Sequence, residues 1–431
     1  MVRKIFMTVA MLLALTMMPM MLFSCMEQTK PTQPSESEKP SESQSTTQPS
    51  ESEKPSVSQS TTQSQKLDAV ELDLGDEEDS ALVKKLGRVI QLPTGLAVDH
   101  VASGIEFCGV FQGEVKLDVR CTAKRDTEAY LAVFIDGIRV ADAYDGTMRT
   151  KGKFHVKASE GLKTITIADF EESGEHTIRV VKQTESGYSL LRYEKLSYTG
   201  ALANTPPADK ELYIEFIGDS LTCGMGSAGD NAFVNGGGSA QGLNGADWED
   251  GTLGYAYRTA EILGADYSII SESGIGLADS WFNAKMGDFY TKTSYNRSTS
   301  TEYGFERVPD LVIINLGTND SNLKNVSGHS INYTDPNIVK KEAKALIQTV
   351  REKYGEVPIL WVSGVFDGKE DTENQVNSAI AELGGEAEKI YSFKLTYSAE
   401  NRKGAEGHPS AAAHKKIMEQ ICEYIRTKNL V

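Results

Sequence analysis

The chain has 431 residues, enough for two domains with appendages. It carries 61 acidic against 44 basic side chains, a formal charge of −17, so nothing in it would neutralise phosphates, and nucleic acid is excluded as a partner. The acid excess otherwise favours solubility. At the amino terminus Arg3 and Lys4 precede an apolar run from Ile5 to Leu22, the pattern of an export signal. As a membrane span that run is short.

The run ends in "LFSC", and small Ser24 before Cys25 resembles a bacterial lipobox. The resemblance implies cleavage ahead of Cys25 (segment 1–25) and lipidation of that cysteine, giving an exported protein anchored at the cell envelope. The other cysteines, Cys108, Cys121, Cys223 and Cys422, match no zinc-ligand spacing, so a structural metal is not expected. Cys108 and Cys121 read as free thiols rather than a disulfide.

Residues 26–66 form a tether. The segment "QPSESEKPSESQSTT" at 33–47 recurs at 48–62 with one change, Glu42 to Val57. Such a composition buries too little apolar surface to offset its chain entropy.

From 67 to 205 the pattern is short strands with period-two alternation, among them "GIEFCGVF", "EVKLDVRCTA", "KTITIAD" and "HTIRVVKQ". Asp136–Gly137 in "FIDGIRV" is a hairpin signal. Helical periodicity is weak, and the segment reads as an all-β sandwich of jelly-roll type. Pro206 and Pro207 mark the passage to residues 206–431.

There the rhythm becomes strand, loop, helix. "LYIEFIG", "DYSIIS", "LVIINLG", "PILWVSG" and "KIYSFKL" are compact apolar runs suited to strands covered on both faces. Val339, Ala343, Leu346 and Val350 share one face of a helix ended by Gly355; Ile417, Ile421 and Ile425 do the same in the last helix. This alternation predicts a parallel α/β sheet with its site beyond the carboxyl ends of the strands.

Four loops lie at those ends. "GDSLTCGMG" puts Ser220 after the first strand, where a hydroxyl is either a helix cap or a nucleophile. The glycines of "GMGSAG" match a dinucleotide fingerprint in letter only, because no helix pattern follows directly. "SESGIGLADS" offers Gly274 or Gly276 as a backbone donor, and Gly276 is assigned. "GTND" supplies Asn319, whose amide suits an oxyanion. "GAEGHPSAAAH" supplies His408 as general base, whereas His414 reads as structural.

In that order, serine, glycine, asparagine and histidine with "GDSLT", "GTND" and "HP" resemble the SGNH, or GDSL-type, esterase superfamily across about residues 210–428. With the upstream sandwich, the chain is most similar to carbohydrate esterase family 2. The resemblance implies a flavodoxin-like, five-stranded parallel sheet. It also implies a serine acyl-enzyme mechanism without metal or organic cofactor, and a monomer removing acetyl groups from plant polysaccharides, preferentially at the 6-position of hexoses. Ser220 and His408 would be nucleophile and base, Gly276 and Asn319 the oxyanion hole, with Asp219 and Trp281 in substrate binding. Trp248 and Trp361 are further candidates for a sugar platform. One departure stands out: the superfamily's aspartate three residues before the histidine is here Ala405. A Ser–His dyad with a backbone carbonyl holding the imidazole is therefore expected, and Glu406 is the alternative orienting partner. Other readings are a lysophospholipase or thioesterase, a bacterial-glycan deacetylase, and a non-catalytic glycan-binding surface lipoprotein; the Gly-, Asn- and Asp-rich loops favour a sugar-like substrate.

Overall fold

The computed structural model describes residues 67–431 except 124–127, 140–154, 158–160, 230–244, 283, 295–299, 325 and 327–334. The expected export signal, Cys25 and the repeat lie outside the described residues.

The first half is antiparallel. Its strands are β1 (Ala69–Asp73), β2 (Lys84–Leu86), β3 (Ile90–Leu92), β4 (Gly95–Ala97), β5 (Gly104–Ala123), β6 (Glu128–Ile135), β7 (Ile138–Arg139), β8 (His155–Lys157), β9 (Leu162–Lys182) and β10 (Ser189–Leu202). The main path runs β3-β4-β10-β5-β9-β6-β7. Alternate residues of β5 (Ile105, Phe107, Phe111, Val115, Leu117, Val119) turn inward onto one core shared with β9 and β10. The Asp136–Gly137 turn joins β6 to β7 with both residues at positive φ (52° and 78°), as a primed hairpin turn requires.

Four expected short strands are in fact two long ones. "GIEFCGVF" and "EVKLDVRCTA" run on as β5, and "KTITIAD" and "HTIRVVKQ" as β9. Gly113, at φ +71°, makes a bulge where a turn was expected. The paired β9 breaks register at the same place, so both strands bend together and the ladder continues.

The second half is a five-stranded parallel sheet: β11 (Leu212–Gly218), β12 (Ala265–Ser271), β13 (Leu311–Asn315), β14 (Ile359–Ser363) and β15 (Ile390–Lys394), in the order β12-β11-β13-β14-β15. Gly218 pairs with both Ser271 and Asn315, so three strands end at one level and their loops share one edge. Helix α1 (Ser220–Cys223) follows β11 directly. The others used below are α2 (Tyr255–Leu263), α3 (Ile338–Tyr354) and α4 (Ala411–Lys428). Helix α3 buries Val339, Ala343, Leu346 and Val350 as its spacing predicts, and Gly355 caps it at φ +74°.

The two halves are packed through one hydrophobic cluster. Leu86, Val101, Ala132 and Val181 of the sandwich join Ile214, Phe216, Tyr255, Tyr267 and Ile417 of the α/β half. Polar bonds cross the same boundary. Lys84 Nζ donates to Asp266 Oδ1 and to the Ala208 carbonyl, both at 2.8 Å. Arg88, fully buried, donates to the Tyr290 carbonyl at 2.7 Å and lies 3.6 Å from Glu215. Removing either partner of such a pair would strand a buried charge.

Candidate active site

Ser220 is the first residue of α1, so its amide has no acceptor within that helix. Asp219 ahead of it is fully buried and caps the helix, accepting from the Leu221 amide at 3.0 Å. Burial pushes the Asp219 carboxyl up to about 7. Its place is therefore under the nucleophile turn, and the expected role in substrate binding gives way to a capping one.

His408 stands opposite. Its Nε2 lies 3.0 Å from Ser220 Oγ, and its Nδ1 lies 3.1 Å from the backbone carbonyl of Glu406. The carbonyl accepts, so Nδ1 carries the proton and Nε2 faces the serine with a lone pair. Glu406 sits at φ +52°, a left-handed conformation that turns its peptide oxygen toward the ring and its side chain outward. Desolvation lowers the His408 pKa to about 4, with the charge of Arg402 adding to it, so the ring is neutral at ordinary pH. Phe366 packs edge-on to the imidazole, and Arg402 stacks over Phe366 at 4.3 Å.

The "GMGSAG" glycines serve this histidine. A side chain at Gly226, φ +79°, would come within 2.6 Å of His408 Cβ and 2.7 Å of the Ala405 carbonyl. The Gly226 carbonyl in turn accepts from the Ala405 amide at 3.2 Å. The motif is a seat for the histidine loop.

Asn319 is fixed at both ends of its amide. Its Nδ2 donates to the Ile275 carbonyl at 2.8 Å and reaches Asp219 Oδ2 only loosely at 3.4 Å; its Oδ1 accepts from Trp281 Nε1 at 3.1 Å. One N–H is thus held firmly and the second only loosely, so the second can turn to a ligand. Trp281 itself is 54% exposed, whereas Trp248 and Trp361 are buried in the core and form no sugar platform.

A cleft of about 410 Å³ joins these groups. Ser220, Gly274, Trp281, Asn319, Glu406 and His408 line it, together with Tyr188, Phe366 and Arg402. Gly276 is not on this wall. A Cβ there would overlap the Asp279 carbonyl and lie 2.7 Å from Asp320 Oδ2, so its missing side chain makes room for packing. Gly274, at φ +85°, brings its backbone to the cleft instead.

Sequence reasoning missed three contributors. Asp320, fully buried, gathers the amides of Leu277 and Ala278 at 2.9 and 2.6 Å and so ties "GTND" to the glycine loop; desolvation raises its pKa. The aspartate that ends that motif was the available signal. Tyr188 arrives from the sandwich, just before β10, with its hydroxyl 3.7 Å from Met225 Sδ. Arg402 lies upstream of the recognised "HP" block. For these last two no local pattern exists. His414, by contrast, is structural as expected: its Nδ1 accepts from the Tyr255 amide at 3.2 Å, capping α2 from α4.

Residues 216–416 match the GDSL-like lipase/acylhydrolase family. The matched span covers most of the α/β half of this chain. Among curated relatives, this chain is 27% identical over 285 residues to the cellulase/esterase CelE of Acetivibrio thermocellus, a match covering 64% of this chain and 32% of CelE. The chain thus spans about a third of that relative's length. It is 21% identical over 283 residues to an acetylxylan esterase/glucomannan deacetylase of Cellvibrio japonicus, covering 63% of this chain and 72% of the other.

Two solved structures share the fold of this chain, sandwich and sheet together. One is a family two carbohydrate esterase from Clostridium thermocellum in complex with cellohexaose, at TM-score 0.66 and 24% identity, covering 81% of this chain and all of that one. The other is an acetyl xylan esterase from the rumen bacterium Butyrivibrio proteoclasticus, at TM-score 0.68 and 21% identity, covering 84% and 99%.

Proposed function

We propose that this chain is a carbohydrate acetyl esterase that removes O-acetyl groups from plant polysaccharides or oligosaccharides, the 6-position of hexose units being its preferred site. The observation that carries the reading is the 3.0 Å approach of His408 Nε2 to Ser220 Oγ at the wall of an open cleft. An exposed indole beside it offers a flat apolar face of the kind that sugars cover. The names of the two curated relatives, a cellulase/esterase and an acetylxylan esterase/glucomannan deacetylase, support the substrate class.

The reaction runs in two halves. His408 takes the Ser220 proton as Oγ attacks the acetyl carbon, and the carbonyl oxygen becomes an oxyanion. The amides of Ser220 and Gly274, with the remaining N–H of Asn319, hold that charge. Protonated His408 then gives its proton to the sugar oxygen, the ester bond breaks, and an acetyl-serine remains. Water, deprotonated by His408, releases acetate and restores Ser220. No step in this sequence calls on a metal or organic cofactor.

The test is acetate release from acetylated glucomannan and acetylated xylan. Ser220→Ala should lower kcat/KM by roughly 10⁴-fold or more. Retained activity in that variant, or turnover confined to long-chain esters, would overturn the proposal.

We further propose that the chain is exported and lipid-anchored, as the "LFSC" pattern ending at Cys25 supports. Labelled fatty acid should enter the wild-type protein and not Cys25→Ser, which should leave the membrane fraction; equal labelling of both rules the anchor out.

A further inference from the structure

Beneath the nucleophile turn lies a second cluster of ligating groups that the reaction above does not use. Glu185 comes from the sandwich loop between β9 and β10, Cys223 from the end of α1, and Glu249 from the segment ahead of α2. All three are fully buried, and one ligand atom from each lies within 4.8 Å of the others. Glu272, also fully buried, follows β12 and closes the group from a fourth side. A Cβ placed on Gly187 would overlap Glu272 Oε1 and sit 3.1 Å from Glu185 Oε1, so these two carboxylates face each other across a glycine.

One oxygen of Glu185 is left without a donor. Glu185 Oε2 accepts from the Ser273 amide at 2.6 Å, but its Oε1, sealed from solvent, has no hydrogen-bond partner. A sealed carboxylate oxygen without a donor is costly unless a cation meets it. Lys182, whose charge is felt by Glu249 and Glu272, spends all three donors on the carbonyls of Asp99, Glu185 and Ser189, at 2.8, 2.9 and 2.6 Å. The Cys223 thiol, 3.2 Å from Ser271 Oγ, adds a soft donor to the oxygens. Carboxylate oxygen with sulfur at such a site suits the borderline-soft Zn²⁺ better than Ca²⁺ or Mg²⁺, which take oxygen alone.

We propose that Glu185, Glu249 and Cys223 form a structural site for one divalent cation of the zinc class, buried where the sandwich meets the α/β half. It would bind as the chain folds and lock together the turn that carries Ser220 and the loop that carries Gly274. This site is separate from the catalytic cleft, and its test does not read acetate release.

Protein purified from zinc-supplemented medium should carry about one zinc per chain by elemental analysis. Stripped with a chelator and titrated with Zn²⁺, it should bind one equivalent and gain roughly 5 °C in Tm. Glu185→Gln and Glu249→Gln should lose the bound zinc and the gain, while His408→Ala keeps both. Cys223→Ser, a smaller change should the glutamate variants fail to fold, should weaken Zn²⁺ binding at least about tenfold. Absence of saturable Zn²⁺ binding, or binding unchanged in these variants, overturns the proposal. So does Ca²⁺ binding that exceeds Zn²⁺ binding and ignores Cys223→Ser.

Discussion

A histidine that is to take a proton from serine needs its far nitrogen held, and here a peptide oxygen does the holding. Because the Glu406 carboxylate is not that partner, Glu406→Gln should leave kcat/KM within about tenfold of wild type, whereas His408→Ala should cost roughly 10⁴-fold. Matching losses in the two variants would restore the carboxylate to the proton path. The depressed pKa of His408, about 4, sets the pH profile. Only the neutral ring accepts a proton, and it persists above that value. The acid limb of kcat/KM should therefore fall well below the ordinary histidine 6.5, and a limb at or above 6.5 would contradict this account. Asn319→Ala should lower kcat by about 10²–10³-fold, as loss of one oxyanion donor does. Ser220, Asn319 and His408 were readable because each is a chemically distinctive side chain in its own loop. The cleft wall carries Gly274 and not the assigned Gly276; the two differ only in backbone placement, which side-chain identity does not encode.

Among elements, the glycine loops show how backbone shape reaches the site. Gly276→Ala drives a methyl into the Asp279 carbonyl and the Asp320 carboxylate. It should destabilise the protein by about 1–3 kcal/mol, read as a lower Tm or denaturant midpoint. Unchanged stability would mean that the loop can open at no cost. The strands of the α/β sheet were legible because both faces are covered, which leaves unbroken apolar runs such as "LYIEFIG". The sandwich was harder. Gly113 reads as a turn residue, and nothing local distinguishes a hairpin from a bulge within a strand of 20 residues. Only the partner strand, bending at the same register, settles the difference.

Taken whole, the molecule is more tightly joined than its two sequence rhythms suggest. Val181 and Ile214 lie in one cluster, and Tyr188 carries the sandwich to the wall of the cleft. Such coupling depends on long-range packing, which periodicity cannot report. Residues 67–431 should unfold in one transition. All three tryptophans lie after residue 206, so indole fluorescence follows the α/β half alone while far-UV circular dichroism follows both. The two midpoints should coincide; separated midpoints would show independent domains. For recombination between esterases, Pro206–Pro207 therefore marks a bend in the chain and not a seam. A graft cut there would bare Ile214, Phe216 and Tyr267 to solvent and remove one side of the substrate's entrance. The smallest portable unit is the sandwich and the sheet together, and libraries that shuffle catalytic domains should place their crossovers outside that pair.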